Sequence, residues 1–114
     1  MAHVVFFVLE CGDLCHDILN EWAKAGAPGA TILESMGLAR IRKAMRDDLP
    51  LVPSLRDLLR SEELHNRTIF TVIDDDEVLK RVLEVTQEVV DFSQPHSGLL
   101  FVVPVTHVFG LKKH

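Results

Sequence analysis

The stretch from residue 67 to residue 104 constrains the fold of this chain most, because it changes from the pattern of a strand to that of a helix and back. Residues 67–73 are rich in β-branched and aromatic side chains, which favour a strand. Four acidic residues, Asp74 to Glu77, follow at once, and such side chains cap a helix and stabilise its positive end. A helix is predicted here because apolar residues recur at intervals of three, four and seven positions: Val78, Leu79, Val82, Leu83, Val89 and Val90.

The end of this stretch predicts a second strand. Turn residues occupy 93–98, and the continuous apolar run Leu99–Val103 follows them. Pro104 is expected to end the strand because proline has no backbone N–H for the ladder. The sequence therefore predicts a βαβ unit, and the continuous apolar run predicts that its second strand is central and buried on both faces.

The first third of the chain repeats the same order of elements. Residues 3–9 form an apolar run that predicts another central strand, paired beside the Leu99 strand. A helical stripe follows from about residue 13 to 25, and Gly26 is the type of residue that ends helices. Residues 30–36 predict a more polar strand nearer the edge of the sheet.

Residues 38–66 form a connection much longer than a hairpin between two strands requires. Its first part is basic, and its second part carries leucines at helical spacing after Ser54. Long connections are either functional or disordered, and the leucines favour order. We therefore expect a functional insertion here.

The order of elements predicts one α+β domain, residues 1–114, with a ferredoxin-like βαββαβ sandwich and the insertion 38–66. A four-stranded antiparallel sheet would carry two helices on one face, which leaves the other face uncovered. An exposed apolar sheet face predicts self-association. A share of the following strand residues is expected on that face: Phe6, Val8, Ile69, Thr71, Leu100 and Val102.

Composition and motifs exclude several functional classes. The net charge of −5 gives no basic field for nucleic acid, so no nucleic-acid partner is expected. No apolar run approaches the roughly 20 residues of a membrane-spanning helix, and nothing resembles an export signal, so we expect a cytoplasmic protein without membrane insertion. The sequence has no nucleophile elbow, zinc-protease motif, P-loop or dinucleotide fingerprint, and an enzyme is therefore not expected.

Several segments together resemble the PII nitrogen-regulatory signalling family. Residues 26–40 resemble its signature at the end of the first helix and in the second strand, where a glycine-rich turn and a threonine precede Gly-x-Gly-Arg, although Ala39 replaces the second glycine. Residues 72–76 resemble the family's strand with an acidic helix start, and residues 97–108 resemble its Gly-Lys-Ile-Phe-Val-x-x-Val segment. The match covers most of the chain outside the insertion.

The resemblance implies a homotrimer of ferredoxin-like subunits whose sheets face a central axis. It implies that residues 38–66 dock onto a target protein, a transporter or an enzyme, and that a cleft between subunits binds ATP, ADP or AMP. The positions that match the family's ligand cleft or its turn glycine are Thr31, Gly37, Arg40, Gly98 and Lys112. Leu99 and Gly110 stand where the family has basic residues, and the absence of tyrosine removes the family's uridylylation site.

Two other functions stay open at this point. The chain resembles, more weakly, the CutA divalent-cation tolerance family, which shares the trimeric architecture. Its candidate metal ligands are His3, Cys11, Cys15, His16 and His96. The third function is a structural adaptor in which the insertion is locked.

Each candidate constellation also has a simpler structural explanation. The basic group Arg40, Arg42, Lys43 and Arg46 suits phosphate or an acidic partner, but a solvated face balanced by Asp47 and Asp48 explains it equally.

The remaining candidates have similar alternatives. Burial on a helix explains Cys11 and Cys15 without a metal, because a structural zinc site needs four ligands. His96 and His107 have the pattern of surface histidines, and capping of a helix accounts for the acidic run at Asp74.

Overall fold

The computed structural model describes residues 1–9, 13–36, 65–95 and 97–111. The strands are β1 (Ala2–Leu9), β2 (Thr31–Met36), β3 (His65–Ile73) and β4 (Leu99–Val105), and the helices are α1 (Asp13–Ala25) and α2 (Asp76–Val89). Residues 37–64, which hold the basic part and the leucines of the predicted insertion, lie outside the described residues, as do the site candidates Gly37, Arg40 and Lys112.

The four strands form one sheet in the order β2-β3-β1-β4, and every neighbouring pair is antiparallel. Both helices pack on one face, over a core to which strands β1 and β3 also contribute. The predicted ferredoxin-like α+β architecture is confirmed. Neither helix of the described part is long and apolar enough to cross a membrane.

Strand β4 differs from its prediction, because it lies at an edge of the sheet and not at its centre. Its residues alternate between the two faces: Leu100 and Val102 pack against the core, while Phe101 and Val103 point to the opposite face and are 39% and 41% exposed. Its continuous apolar character therefore reflects two apolar faces, not burial on both. The strand also continues through Pro104, which is tolerated because an edge strand need not donate from every residue.

A buried hydrogen bond joins the two helices. The indole Nε1 of Trp22 donates to the hydroxyl of Thr86 at 2.8 Å, and that hydroxyl donates to the Val82 carbonyl at 2.7 Å. Thr86 interrupts the apolar stripe predicted for α2, yet it is fully buried. Since buried polar groups are costly unless paired, this bond specifies how α1 and α2 pack together.

The sheet face away from the helices is called the open face below. Three phenylalanine rings cross it side by side: Phe6 lies 5.0 Å from Phe101 and 5.7 Å from Phe70, measured between ring centroids. Val8 shares this face. Four other candidates for this face instead belong to the helix-covered face: Ile69, Thr71, Leu100 and Val102. No helix or strand of the described part covers the open face.

Candidate functional site

A groove lies at the end of the sheet where β1 and β2 begin and β3 and β4 end. Strand β3 extends past the start of β2, because the β2–β3 ladder begins at the pair Thr31 and Phe70 and leaves residues 71–73 without a β2 partner. The groove runs along this overhang and has a volume of about 320 Å³. It is lined by Pro28, Gly29, Ala30, Thr31, Phe70, Thr71, Val72, Gly110 and Leu111.

The turn between α1 and β2 forms one wall of the groove. Helix α1 ends because Gly26 adopts a positive φ of 104°, which favours glycine, and the Ala27 amide donates to the Trp22 carbonyl at 3.0 Å. Further along the turn, the hydroxyl of Thr71 donates to the Gly29 carbonyl. The turn is thus bound to α1 at its start and to β3 near its end.

The side chains that line the groove are uncharged. Two of them, Thr31 and Thr71, carry hydroxyl groups, and the second donates its proton to Gly29. Thr31 is exposed and lies on the open-face side of β2, directly opposite Phe70. The described part of the groove can therefore hold an apolar or planar group and offer it one free hydroxyl.

Gly98, the other described site candidate, lies on the opposite edge of the sheet. Thr31, Phe70, Phe6 and Phe101 form one row across β2, β3, β1 and β4, and Gly98 precedes β4. Three strand spacings separate the two edges, which is about 14 Å. Within one chain, Thr31 and Gly98 are therefore separated by the full width of the sheet.

The turn before Gly98 is held by Asp91. Its carboxylate accepts hydrogen bonds from the Ser93 hydroxyl at 2.5 Å and from the Ser93 amide at 3.0 Å. These bonds favour the charged form and lower the pKa of Asp91 below its usual value. A lowered pKa stabilises the folded chain above the ordinary aspartate pKa, and this contribution is lost as pH falls through the folded value.

The metal candidates do not converge in the described part of the chain. Cys15 is buried in the core while His16, on the same helix, is exposed. His3 lies on the helix side of β1, with its Nδ1 buried and lacking a hydrogen-bond partner. The described residues contain no group of three metal-ligating side chains, and Cys11 and His96 lie outside them.

Two other sequence candidates have ordinary surface roles. Asp75 caps α2, and its carboxylate accepts from the amides of Glu77 at 2.9 Å and Val78 at 3.3 Å. His107 is exposed, with its Nδ1 3.1 Å from the Thr106 hydroxyl.

Sequence reasoning did not find most of the groove. The sequence predicts no ligand-site role for three of the groove's lining residues, Phe70, Thr71 and Leu111. The one available signal was Thr71, a polar residue at an inward position between Ile69 and Ile73. Its partner Gly29 lies 42 residues earlier, which no local pattern reveals.

Comparison with solved structures defines the class of this fold. Arabidopsis thaliana PII bound to citrate has a TM-score of 0.61 and 15% identity, and the match covers 91% of this chain and 77% of that one. The GlnK–ATP complex of B. subtilis has a TM-score of 0.60 and 17% identity, over 92% of this chain and 84% of that one. CPII bound to ADP and bicarbonate, from Thiomonas intermedia K12, has a TM-score of 0.54 and 19% identity, over 90% and 83%.

The described part of the chain is thus a four-stranded antiparallel sheet with two helices on one face and a groove at one end of the sheet. The chain has the fold of the PII signalling proteins. The resemblance seen in the sequence is confirmed at the level of the fold. Neither a protein-family model nor a curated protein matches the sequence.

Proposed function

We propose that this chain is a divergent PII-like regulator: a cytoplasmic, non-enzymatic homotrimer that controls a partner protein through residues 38–66. In this proposal residues 1–114 form a single domain. The trimer senses an adenine nucleotide or a related small effector in the clefts between its subunits.

The open face is the observation that carries this proposal. Three phenylalanines contact one another on it: Phe6 stacks on Phe101 and lies tilted against Phe70. Along β4, Leu99, Phe101 and Val103 are 58%, 39% and 41% exposed. A contiguous apolar patch of this kind is uncommon on a monomer and marks an interface. Burying it between three copies would remove this surface from water.

The positions of Thr31 and Gly98 also support an assembly. They lie on opposite edges of one sheet, so a shared ligand requires the β2 edge of one subunit to approach the β4 edge of another. Gly37 and Arg40 follow β2, and Lys112 follows Leu111, which lines the groove. We assign the phosphate contacts to Arg40 and Lys112, because the described groove lining is uncharged.

Control of the partner would follow from the coupling between ligand binding and the conformation of residues 38–66. A ligand shifts the conformation of residues 38–66 only if it binds one conformation more tightly than another. The insertion leaves β2 at Met36 and returns at His65, and these two residues are directly paired. Strand β2 connects the groove, at Thr31, to this attachment point five residues further along, so a ligand bound beside Thr31 acts on the insertion through β2.

Light scattering and calorimetry test the two parts separately. We expect size-exclusion chromatography with light scattering to give three times the 12.8 kDa mass of the chain. We expect titration calorimetry to detect binding of ATP, ADP or AMP. Arg40→Ala should weaken that binding about tenfold or more, since a charge-assisted bond contributes roughly 1.5–3 kcal/mol.

Lys80→Ala is the matched control, because it removes a cation from the exposed surface of α2. It should leave binding unchanged. Binding of none of the three nucleotides would remove the sensing part of the proposal, and a monomeric mass would remove the whole of it.

A further inference from the structure

Thr71 has a hydroxyl where the neighbouring inward positions of β3 are apolar. Ile69 and Ile73 flank it on the same face, and Thr71 itself is only 3% exposed. A valine would fill nearly the same volume without a polar atom. A buried hydroxyl is costly unless it is bonded, so its bond to the Gly29 carbonyl is the feature that needs an explanation.

We infer that Thr71 is a positioning residue of the groove, whose hydroxyl holds the α1–β2 turn by the Gly29 carbonyl and so fixes Thr31 against Phe70. The inference rests on the function proposed above, because it assumes that a ligand binds beside Thr31. It adds a residue that no sequence motif assigned to the site.

The position of the bond explains why it acts on Thr31. Residues 28–30 and the overhang of β3 line the same groove, and the β2 ladder starts with Thr31 immediately after the turn. The beginning of the turn is held to α1 by the Ala27 amide. Gly29 has no side chain to pack, and a Cβ placed there would meet no atom within 4 Å. The bond from Thr71 thus sets the path of the chain just before Thr31.

Thr71 acts through the backbone and not on the ligand itself. Side chains alternate along a strand, so Thr71 faces the helices while its neighbour Phe70, the partner of Thr31, faces the open side. The hydroxyl proton is also already donated to Gly29. Loss of the hydroxyl should therefore displace the turn and weaken binding without removing a direct ligand contact.

The test compares Thr71→Val with Thr71→Ser and with Thr86→Val. The serine variant keeps the hydroxyl, and Thr86→Val removes an equally buried hydroxyl whose bonds go to the Trp22 indole and the Val82 carbonyl, not to the backbone of the turn. ATP is the probe in calorimetric titrations, run below the unfolding temperature of every variant. Hydrogen exchange by mass spectrometry follows the backbone of residues 27–33 without any ligand.

We expect Thr71→Val to weaken ATP binding roughly three- to tenfold, the range that one neutral hydrogen bond supplies. It should also speed exchange in residues 27–33, and Thr71→Ser should restore both properties. Thr86→Val should lower stability but leave ATP binding and this exchange unchanged.

Two results would overturn the positioning role: ATP binding in Thr71→Val equal to wild type, or unchanged exchange in residues 27–33. If wild-type protein binds no nucleotide, the sensing proposal fails by itself. The exchange measurement then still decides whether Thr71 holds the turn.

Discussion

Gly98 lies against strand β1 with no room for a side chain. Its φ is 114°, and a Cβ there would lie 2.5 Å from the Val8 carbonyl oxygen and 2.8 Å from Cε1 of Phe7. Backbone and a buried ring form this wall, so neither can move aside at low cost. Close approach to β1 and the positive φ together explain why glycine precedes β4.

Gly98→Ala should therefore lower the free energy of unfolding by about 1–3 kcal/mol, the usual cost of a disfavoured backbone conformation. Urea denaturation followed by fluorescence measures this change, because Trp22 is the only tryptophan and the chain has no tyrosine.

Gly29→Ala is the control for this substitution. Gly29 lies outside the left-handed region, and a Cβ there meets nothing within 4 Å. Gly29→Ala should leave the free energy of unfolding unchanged or raise it by up to about 1 kcal/mol, because alanine reduces the conformational entropy of the unfolded chain. Equal losses in both variants would show that the contact with β1 is not the cause.

At the scale of elements, the start of α2 shows what an acidic run does. Four consecutive acidic residues predicted a helix start, and the structure selects Asp75 as the cap with bonds to two amides. Local pattern located the helix because capping and apolar spacing act within a few residues. It did not select among the four carboxylates.

Asp75→Ala should destabilise the protein by about 1 kcal/mol, because two amides of the first turn lose their acceptor. Asp75→Asn keeps an acceptor oxygen and removes the charge, and it should cost less. Urea denaturation of both variants separates the hydrogen bond from the interaction with the helix dipole. An alanine variant as stable as wild type would exclude a capping role for Asp75.

Strand β4 shows where local pattern misleads at this scale. Its run of apolar residues predicted a central strand, yet it lies at an edge with one face on the core and one face open. The residue types of β4 indicate only that both of its faces are apolar. They do not indicate whether the chain itself or another copy covers the second face.

At the scale of the whole molecule, the open face predicts a specific effect of charge. Phe101→Lys places an ammonium beside Phe6 on that face and should reduce the proposed trimer to single chains of 12.8 kDa. The physical reason is the cost of burying an unpaired charge in an apolar interface. Light scattering after size-exclusion chromatography measures the mass.

Ile32→Lys is the matched control. Ile32 is also an exposed apolar strand residue, at 45%, but it pairs with Ile69 and lies on the helix side of the sheet. This variant should keep the mass of three chains that the proposal predicts for the wild type. A Phe101→Lys protein that keeps the mass of three chains would show that the open face is not the interface.

The sequence alone predicted the helices and strands of the described part, with the first helix at residues 13–25 and the four strands close to their observed bounds. Their order also led to the correct fold, because caps, turns and apolar periodicity are interactions between near neighbours in the chain. The resemblance to PII proteins pointed to Thr31 and Gly98, but it did not place them on opposite edges.

The three-dimensional structure was needed to show which strand lies at the edge, how the phenylalanines align on the open face and which residues line the groove. The bond between Thr71 and Gly29 depends on contacts between distant parts of the chain, as does the bond between Trp22 and Thr86. The alternation of side chains along a strand indicates which residues share a face, but it does not identify the residue that each one contacts. That contact is set by strand pairing and helix packing, which are formed by the whole chain at once.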